Sequence, residues 1–193
     1  RASLLGVALP CTLQTLRFGN AFNASLQGVS LPSTLQSLNF GNSFNQSLQG
    51  LLPDTLQSLS LGGTFAQNLQ RTLPLGLRDL SLGNSSDGAV RATTLLSSLL
   101  SLTFGNGLTQ RLQDVSLPSS LQSLTFGNEF NHRMQGVVLP SGLQLLAFGD
   151  RFNQSLKGLL FPSTLLSLSF GKAFDESLQG VDLPSGLRSL KFG

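Results

Sequence analysis

The chain has 193 residues, of which 40% are hydrophobic and only 11% charged, and its 12 basic and 9 acidic side chains give a formal net charge of +3. The charges are scattered without a run of like sign, so the basic balance lacks the stripe that nucleic-acid binding uses. A single cysteine, Cys11, excludes an internal disulfide framework and any multi-cysteine metal site, and no run of 18 apolar residues, the length that spans a bilayer, occurs.

Trp and Tyr are absent while Phe occurs 14 times, the skew that copying one template produces. The copies are visible in the glycine of a Leu-x-Phe-Gly motif, at Gly19, Gly41, Gly62, Gly83, Gly105, Gly127, Gly149, Gly171 and Gly193. Successive steps are 22, 21, 21 and then five of 22 residues, the signature of a repeat architecture. Both short repeats lose their residue between the Gln-Gly step and the Leu-Pro step, a connecting bend where deletion costs least.

Within the first full coil the apolar positions are Leu13, Leu16, Phe18, Phe22, Leu26, Val29 and Leu31. Their spacing sustains neither a 3.6 nor a 2 period, which excludes a single amphipathic helix and a plain hairpin. Ser-Leu-x-Phe alternates locally and predicts a short strand with Leu and Phe inward. The glycine after it opens a turn. Phe-Asn-Gln-Ser-Leu-Gln-Gly then fits one helical or 3₁₀ turn, with Phe and Leu at i, i+4 and Gly as the stop, or a second short extended piece. Leu-Pro returns the chain extended, because the residue before Pro avoids the helical region.

No coil can bury seven apolar side chains alone, but stacked coils share them as columns. One column runs from Leu16 through Leu38 and Leu124 to Leu190, another from Phe18 through Leu61 and Leu82 to Phe192. Each buried Leu or Phe contributes about 1.5–3 kcal/mol, so the columns form one continuous core. The predicted fold is a mainly β solenoid of about nine 22-residue coils, with a parallel β-sheet on one face and short 3₁₀ or extended convex segments. Residues 1–193 read as a single repeat domain, with degenerate repeats around 84–114, where Ser86, Asp87 and Gly88 replace Phe-Asn-Gln and Leu96 replaces Pro. That worn coil is expected to keep its place with a looser convex side.

The motif, as in Leu35-Gln36-Ser37-Leu38-Asn39-Phe40-Gly41-Asn42-Ser43-Phe44-Asn45, resembles the FNIP-repeat family, a branch of the leucine-rich-repeat solenoids, and the resemblance covers Leu4 to Gly193. It implies a curved or superhelical right-handed stack and partner binding as the default role. Leu31-Pro32, Leu139-Pro140, Leu183-Pro184 and Phe161-Pro162 stand where the family has Ile-Pro, and the Asn follows the second Phe rather than keeping the usual leucine-rich-repeat spacing.

Outward strand positions form the candidate binding face. One column includes Ser37, Ser101 and Ser123, and the other is Arg17, Asn39, Ser60, Ser81, Thr103, Thr125, Ala147, Ser169 and Lys191. These side chains are small, mostly hydroxylic and nearly uncharged. A polar column of Asn23, Asn45, Asn131 and Asn153, with Asp175 at the same place, reads as structural, its amides bonding the turn backbones of adjacent coils. Four Asn-x-Ser sequons, at Asn23, Asn45, Asn84 and Asn153, come with the template.

The sequence points to a non-enzymatic structural or protein-interaction scaffold. The alternative is a surface-recognition module for ice or a polysaccharide, using the Ser/Thr grid. An enzyme is disfavoured: the one histidine, His132, replaces a template Gln, and the carboxylates are spread thinly apart from the neighbours Asp175 and Glu176. No catalytic, cofactor or metal-binding residues are expected. A protein partner or larger assembly is expected instead, with no nucleic acid. Arg1 lies mid-template and Gly193 falls on the motif glycine, with no polar capping coil, which suits part of a longer array or end-to-end stacking of molecules.

Overall fold

The computed structural model describes residues 4–69, 71–84, 97–108, 111–112 and 115–193. Nine strands, each of three residues, occur at one per coil: β1 (Thr15–Arg17), β2 (Ser37–Asn39), β3 (Ser58–Ser60), β4 (Asp79–Ser81), β5 (Ser101–Thr103), β6 (Ser123–Thr125), β7 (Leu145–Ala147), β8 (Ser167–Ser169) and β9 (Ser189–Lys191). They form one parallel sheet in chain order. The register is set by the repeat, with Leu16 opposite Leu38, Leu38 opposite Leu59, and so on to Leu168 opposite Leu190.

The middle leucine of each strand points into the coil, and its two neighbours point out, as strand alternation requires. Leu38, Leu102, Leu124, Leu146 and Leu168 are fully buried in one apolar cluster that runs through the coils. Phenylalanine rings stack along the same axis. Phe104, Phe126, Phe148, Phe170 and Phe192 follow one another at 5.4–5.6 Å between centroids. Phe40 also stacks on Phe44 of its own coil at 3.8 Å. Leu61 and Leu82 take the ring positions in the two coils between Phe40 and Phe104 and are buried there.

In the coils described in full, the rest of the repeat is extended chain joined by three tight turns. In the coil that starts at β2, Phe44 N donates to Gly41 O at 3.3 Å, Leu51 N to Leu48 O at 3.1 Å, and Leu56 N to Pro53 O at 3.1 Å. Proline fits the first position of the third turn, since that residue supplies only its carbonyl. Among the described residues the convex piece takes the extended alternative, with 3₁₀ geometry at Leu112 alone. An extended path wins because it turns Asn45 N towards the preceding coil, where it finds an acceptor, whereas a helical turn would bond internally and leave the neighbouring coil unpaired.

Glycine serves two separate purposes. In the Leu-Gln-Gly turn, Gly28, Gly50, Gly136, Gly158 and Gly180 have φ between 69° and 82°, the left-handed region, and Arg71 occupies this position in the third coil at φ 56°. The motif glycine instead marks a close approach between coils. A Cβ on Gly41, Gly62, Gly83, Gly127 or Gly149 would collide with the backbone of the preceding motif glycine. The loosened convex side expected for the worn coil falls on residues 85–96, 109–110 and 113–114, outside the described residues. Strands β4 and β5, which flank that coil, pair in full register.

Candidate interaction surface

The outward face of the sheet is a lattice fixed by the register. Neighbouring strands lie ~4.8 Å apart and alternate residues along one strand ~6.6 Å apart. On it stand Ser37, Ser58, Ser101, Ser123 and Ser167 in the first column, all half-exposed, with Asp79 and Leu145 exposed between them. The second column carries Asn39, Ser60, Ser81, Thr103, Thr125 and Ser169, half-exposed, bounded by exposed Arg17 in β1 and Lys191 in β9. Among the described residues, the hydroxyls of Ser37, Ser101, Ser123, Thr103 and Thr125 make no hydrogen bond with the protein.

The Asn side chains that follow the second Phe are used internally. Asn23 Oδ1 accepts Asn45 N at 2.9 Å and Gln46 Nε2 at 3.0 Å. Asn45 Oδ1 accepts Ala66 N and Gln67 Nε2, both at 3.0 Å. Asn131 Oδ1 accepts Asn153 N at 2.9 Å, and Asn153 Oδ1 accepts Asp175 N at 2.9 Å. Each amide oxygen therefore fills a backbone donor of the following coil, which an extended chain would otherwise leave open.

Two further ladders escaped the sequence reading. Asn84 Oδ1 accepts Asn106 N at 3.0 Å, and Asn106 Oδ1 accepts Asn128 N at 2.7 Å. The signal was present in the recurrence of Asn directly after the motif glycine, at Asn20, Asn42, Asn84, Asn106 and Asn128. The second is a hydroxyl ladder two residues after the Pro position. Thr34 Oγ1 donates to Leu13 O at 3.0 Å, Ser98 Oγ to Leu77 O at 2.8 Å, Ser120 Oγ to Leu99 O at 2.7 Å and Thr164 Oγ1 to Leu143 O at 2.9 Å. It ties these coils to a carbonyl of the one before, and is missing where Gly76, Gly142 and Gly186 hold the position.

Charged groups are few and solvent-facing. Arg151 pairs with Glu129 at 2.7 Å and Lys172 with Asp150 at 3.3 Å, each between adjacent coils. His132 lies half-buried, edge-on to Phe130 with centroids 5.5 Å apart. Among the described residues, no group of three or more His, Cys, Asp or Glu side chains converges as a metal site would require. Two shallow cavities open on the convex side. One, of about 410 Å³, is lined by Val138, Leu139, Leu160 and Phe161, and the other, of about 450 Å³, by Arg133, Gln154, Lys157 and Glu176. No described helix is long and apolar enough to cross a membrane.

The same coil-by-coil organisation is what comparison with known proteins finds. The model of the FNIP repeat matches residues 3–43, 44–85, 91–129 and 130–173. The chain belongs to the FNIP-repeat family. Each FNIP match is close to two of the 22-residue coils long. The crystal structure of CroV588, described as a novel circular LRR protein, is similar, with a TM-score of 0.68 and 30% identity over 100% of this chain and 35% of that one. The FNIP coils thus span about a third of that protein's length. No curated protein matches the chain. As a leucine-rich-type repeat solenoid, the FNIP array has the architecture of a scaffold or interaction module in general.

Proposed function

We propose that the chain is a non-enzymatic scaffold whose parallel sheet is the binding face for a protein partner. One contrast supports the reading. The Asn columns and the hydroxyls after the Pro position spend their side chains on the neighbouring coil, whereas the strand-face hydroxyls make no bond within the described residues. The likeness to a circular LRR protein further supports a curved array that wraps its sheet face around a partner.

A photo-crosslinker placed at Thr103 tests this, with a second one at the convex Gln179 as the control. A discrete crosslinked partner at Thr103, absent at Gln179 and lost on Thr125→Arg, is the expected result. Equal crosslinking from both faces overturns the assignment.

The same unoccupied grid supports a second reading, recognition of an ordered surface such as ice or a polysaccharide. Ice binding gives thermal hysteresis that collapses when Thr103 and Thr125 become Lys. Absence of hysteresis at high protein concentration removes that reading.

A further inference from the structure

Two departures from the template fall on the same pair of coils, on the convex side. The first is apolar. Side chains alternate along an extended chain, so the residue between buried Val137 and buried Leu139 points outwards, as does the one after buried Leu159. At this template place Ala8, Ser30, Ser116 and Asp182 are small or polar, but Val138 is 86% and Leu160 81% exposed. The two stand on adjacent coils and line the cavity of about 410 Å³ together with Phe161.

The second departure is charged. Arg133 stands where the template has Ser, as at Ser25 and Ser177, and Lys157 where it has Gln, as at Gln27 and Gln179. Both line the cavity of about 450 Å³, with Glu176 on the same wall.

The cavities adjoin, because Gln135 of one is followed by Gly136 of the other, and Lys157 by Gly158. Tight turns lie at this junction, closed by Val137 N on Met134 O at 3.1 Å and by Leu159 N on Leu156 O at 3.0 Å. The ends of such a turn are less than ~7 Å apart, and each further residue adds at most ~3.8 Å, so the Cα atoms of Arg133 and Val138 lie within ~15 Å. The result is one groove, cationic at one end and apolar at the other.

We infer that this groove docks a short extended segment of another protein, one that carries an acidic side chain up to four residues from a bulky apolar one. The apolar side chain enters between Val138 and Leu160 and removes both from water. The carboxylate meets Arg133 and Lys157. Two cations against the single carboxylate of Glu176 leave this end net positive, which selects an acidic segment over a basic one. An extended peptide advances ~3.3 Å per residue, so a reach of ~15 Å admits a separation of up to about four residues. A concave slot with Glu176 on its wall suits such a segment better than an anionic bilayer, against which that carboxylate would be pressed. The groove is on the opposite side from the sheet face, and its occupancy does not depend on that face being used.

A random-heptamer display library panned against the whole chain tests the docking, with the best binder then titrated as a labelled synthetic peptide by fluorescence anisotropy. Enriched heptamers are expected to hold Asp or Glu within four residues of Leu, Ile, Met or Phe. Leu160→Ser and Lys157→Glu each weaken the peptide ~10-fold or more. Raising salt from 0.1 M to 1 M shortens the screening length from ~10 Å to ~3 Å and weakens it too. Both substituted side chains are exposed, so neither change moves the melting temperature by more than ~2 °C. Thr125→Arg, on the sheet face, leaves peptide binding unchanged, which separates failure of this site from failure of the sheet assignment. Heptamers enriched without an acidic residue overturn the inference, as do heptamers that bind Leu160→Ser as well as the unsubstituted chain. A library that yields no binder overturns it also, whether the chain instead sediments with phosphatidylserine vesicles or stays free in solution.

Discussion

Replacing Gly127 by Ala adds one methyl group at a place where only backbone is in reach. Its Cβ would lie 2.5 Å from Gly105 O and 2.6 Å from Asn106 N. Carbon atoms in good contact sit about 3.5–4.0 Å from their neighbours, so the shortfall is about 1 Å. No rotamer change relieves it, because the atoms struck are main chain. That main chain is held on both sides, with Phe104 N on Thr125 O and Phe126 N on Ala147 O, both at 2.9 Å. The two coils must part, stretching the β5–β6 ladder and the Phe104–Phe126 stack, now at 5.6 Å. Overpacking of this kind costs about 1–3 kcal/mol, and an unyielding backbone places Gly127 at the upper end. Reduced freedom of the unfolded chain returns about 0.4–1 kcal/mol, which leaves a net loss of ~2–2.6 kcal/mol. For a chain of this size each kcal/mol moves Tm by about 2–4 °C, so the variant melts ~4–10 °C lower. Thermal unfolding followed by far-ultraviolet circular dichroism reads the shift. Gly19→Ala, measured beside it, is expected to melt at or slightly above the parent temperature, because its methyl group meets nothing within 4 Å. If Gly127→Ala melts within ~1 °C of the parent, the close-approach explanation of the motif glycine is wrong.

Other expectations follow from the ladders and turns. Asn131→Ala removes the acceptor of Asn153 N and Gln154 Nε2 and lowers stability by about 1–2 kcal/mol in urea titrations, whereas Asn131→Asp, which keeps an acceptor, costs less than half of that. Arg71→Gly relieves a left-handed residue with a Cβ at φ 56° and raises the urea midpoint, corresponding to a gain of ~1 kcal/mol, while Gly158→Arg at the equivalent position lowers it by a similar amount.

The fold could be read from glycine spacing alone because a 22-residue period and a shared column are the same statement. If Leu16, Leu38 and Leu59 recur at one template position, stacking puts them opposite one another, as β1, β2 and β3 do. The convex path was harder. Phe22 and Leu26 are four residues apart, a separation compatible with one helical turn or with extended chain. The decision lies in hydrogen bonds to another coil, such as Asn45 N to Asn23 Oδ1, which no single repeat displays. The motif glycine was legible as a turn opener, and the turn is there, but its stricter demand depends on the distance between coils. On the candidate face, strand alternation identifies which Ser and Thr point outwards once the register is known. It does not separate a strand Ser such as Ser101 from a turn Ser such as Ser98. The two are chemically alike, and only the second is near enough to a neighbouring carbonyl, Leu77 O at 2.8 Å, to be satisfied within the protein.

Cysteine cross-linking tests the shared, in-register stack most directly. Ser101 and Ser123 face each other across β5 and β6. At a strand spacing of ~4.8 Å their Cα atoms fall within the ~4.4–6.8 Å span of a disulfide. In a Cys11→Ser background, Ser101→Cys with Ser123→Cys is expected to close an intramolecular disulfide on mild oxidation. Ser101→Cys with Leu145→Cys, two strands apart at ~9.6 Å, should stay reduced. Closure of the second pair in preference to the first would contradict a solenoid built on this register.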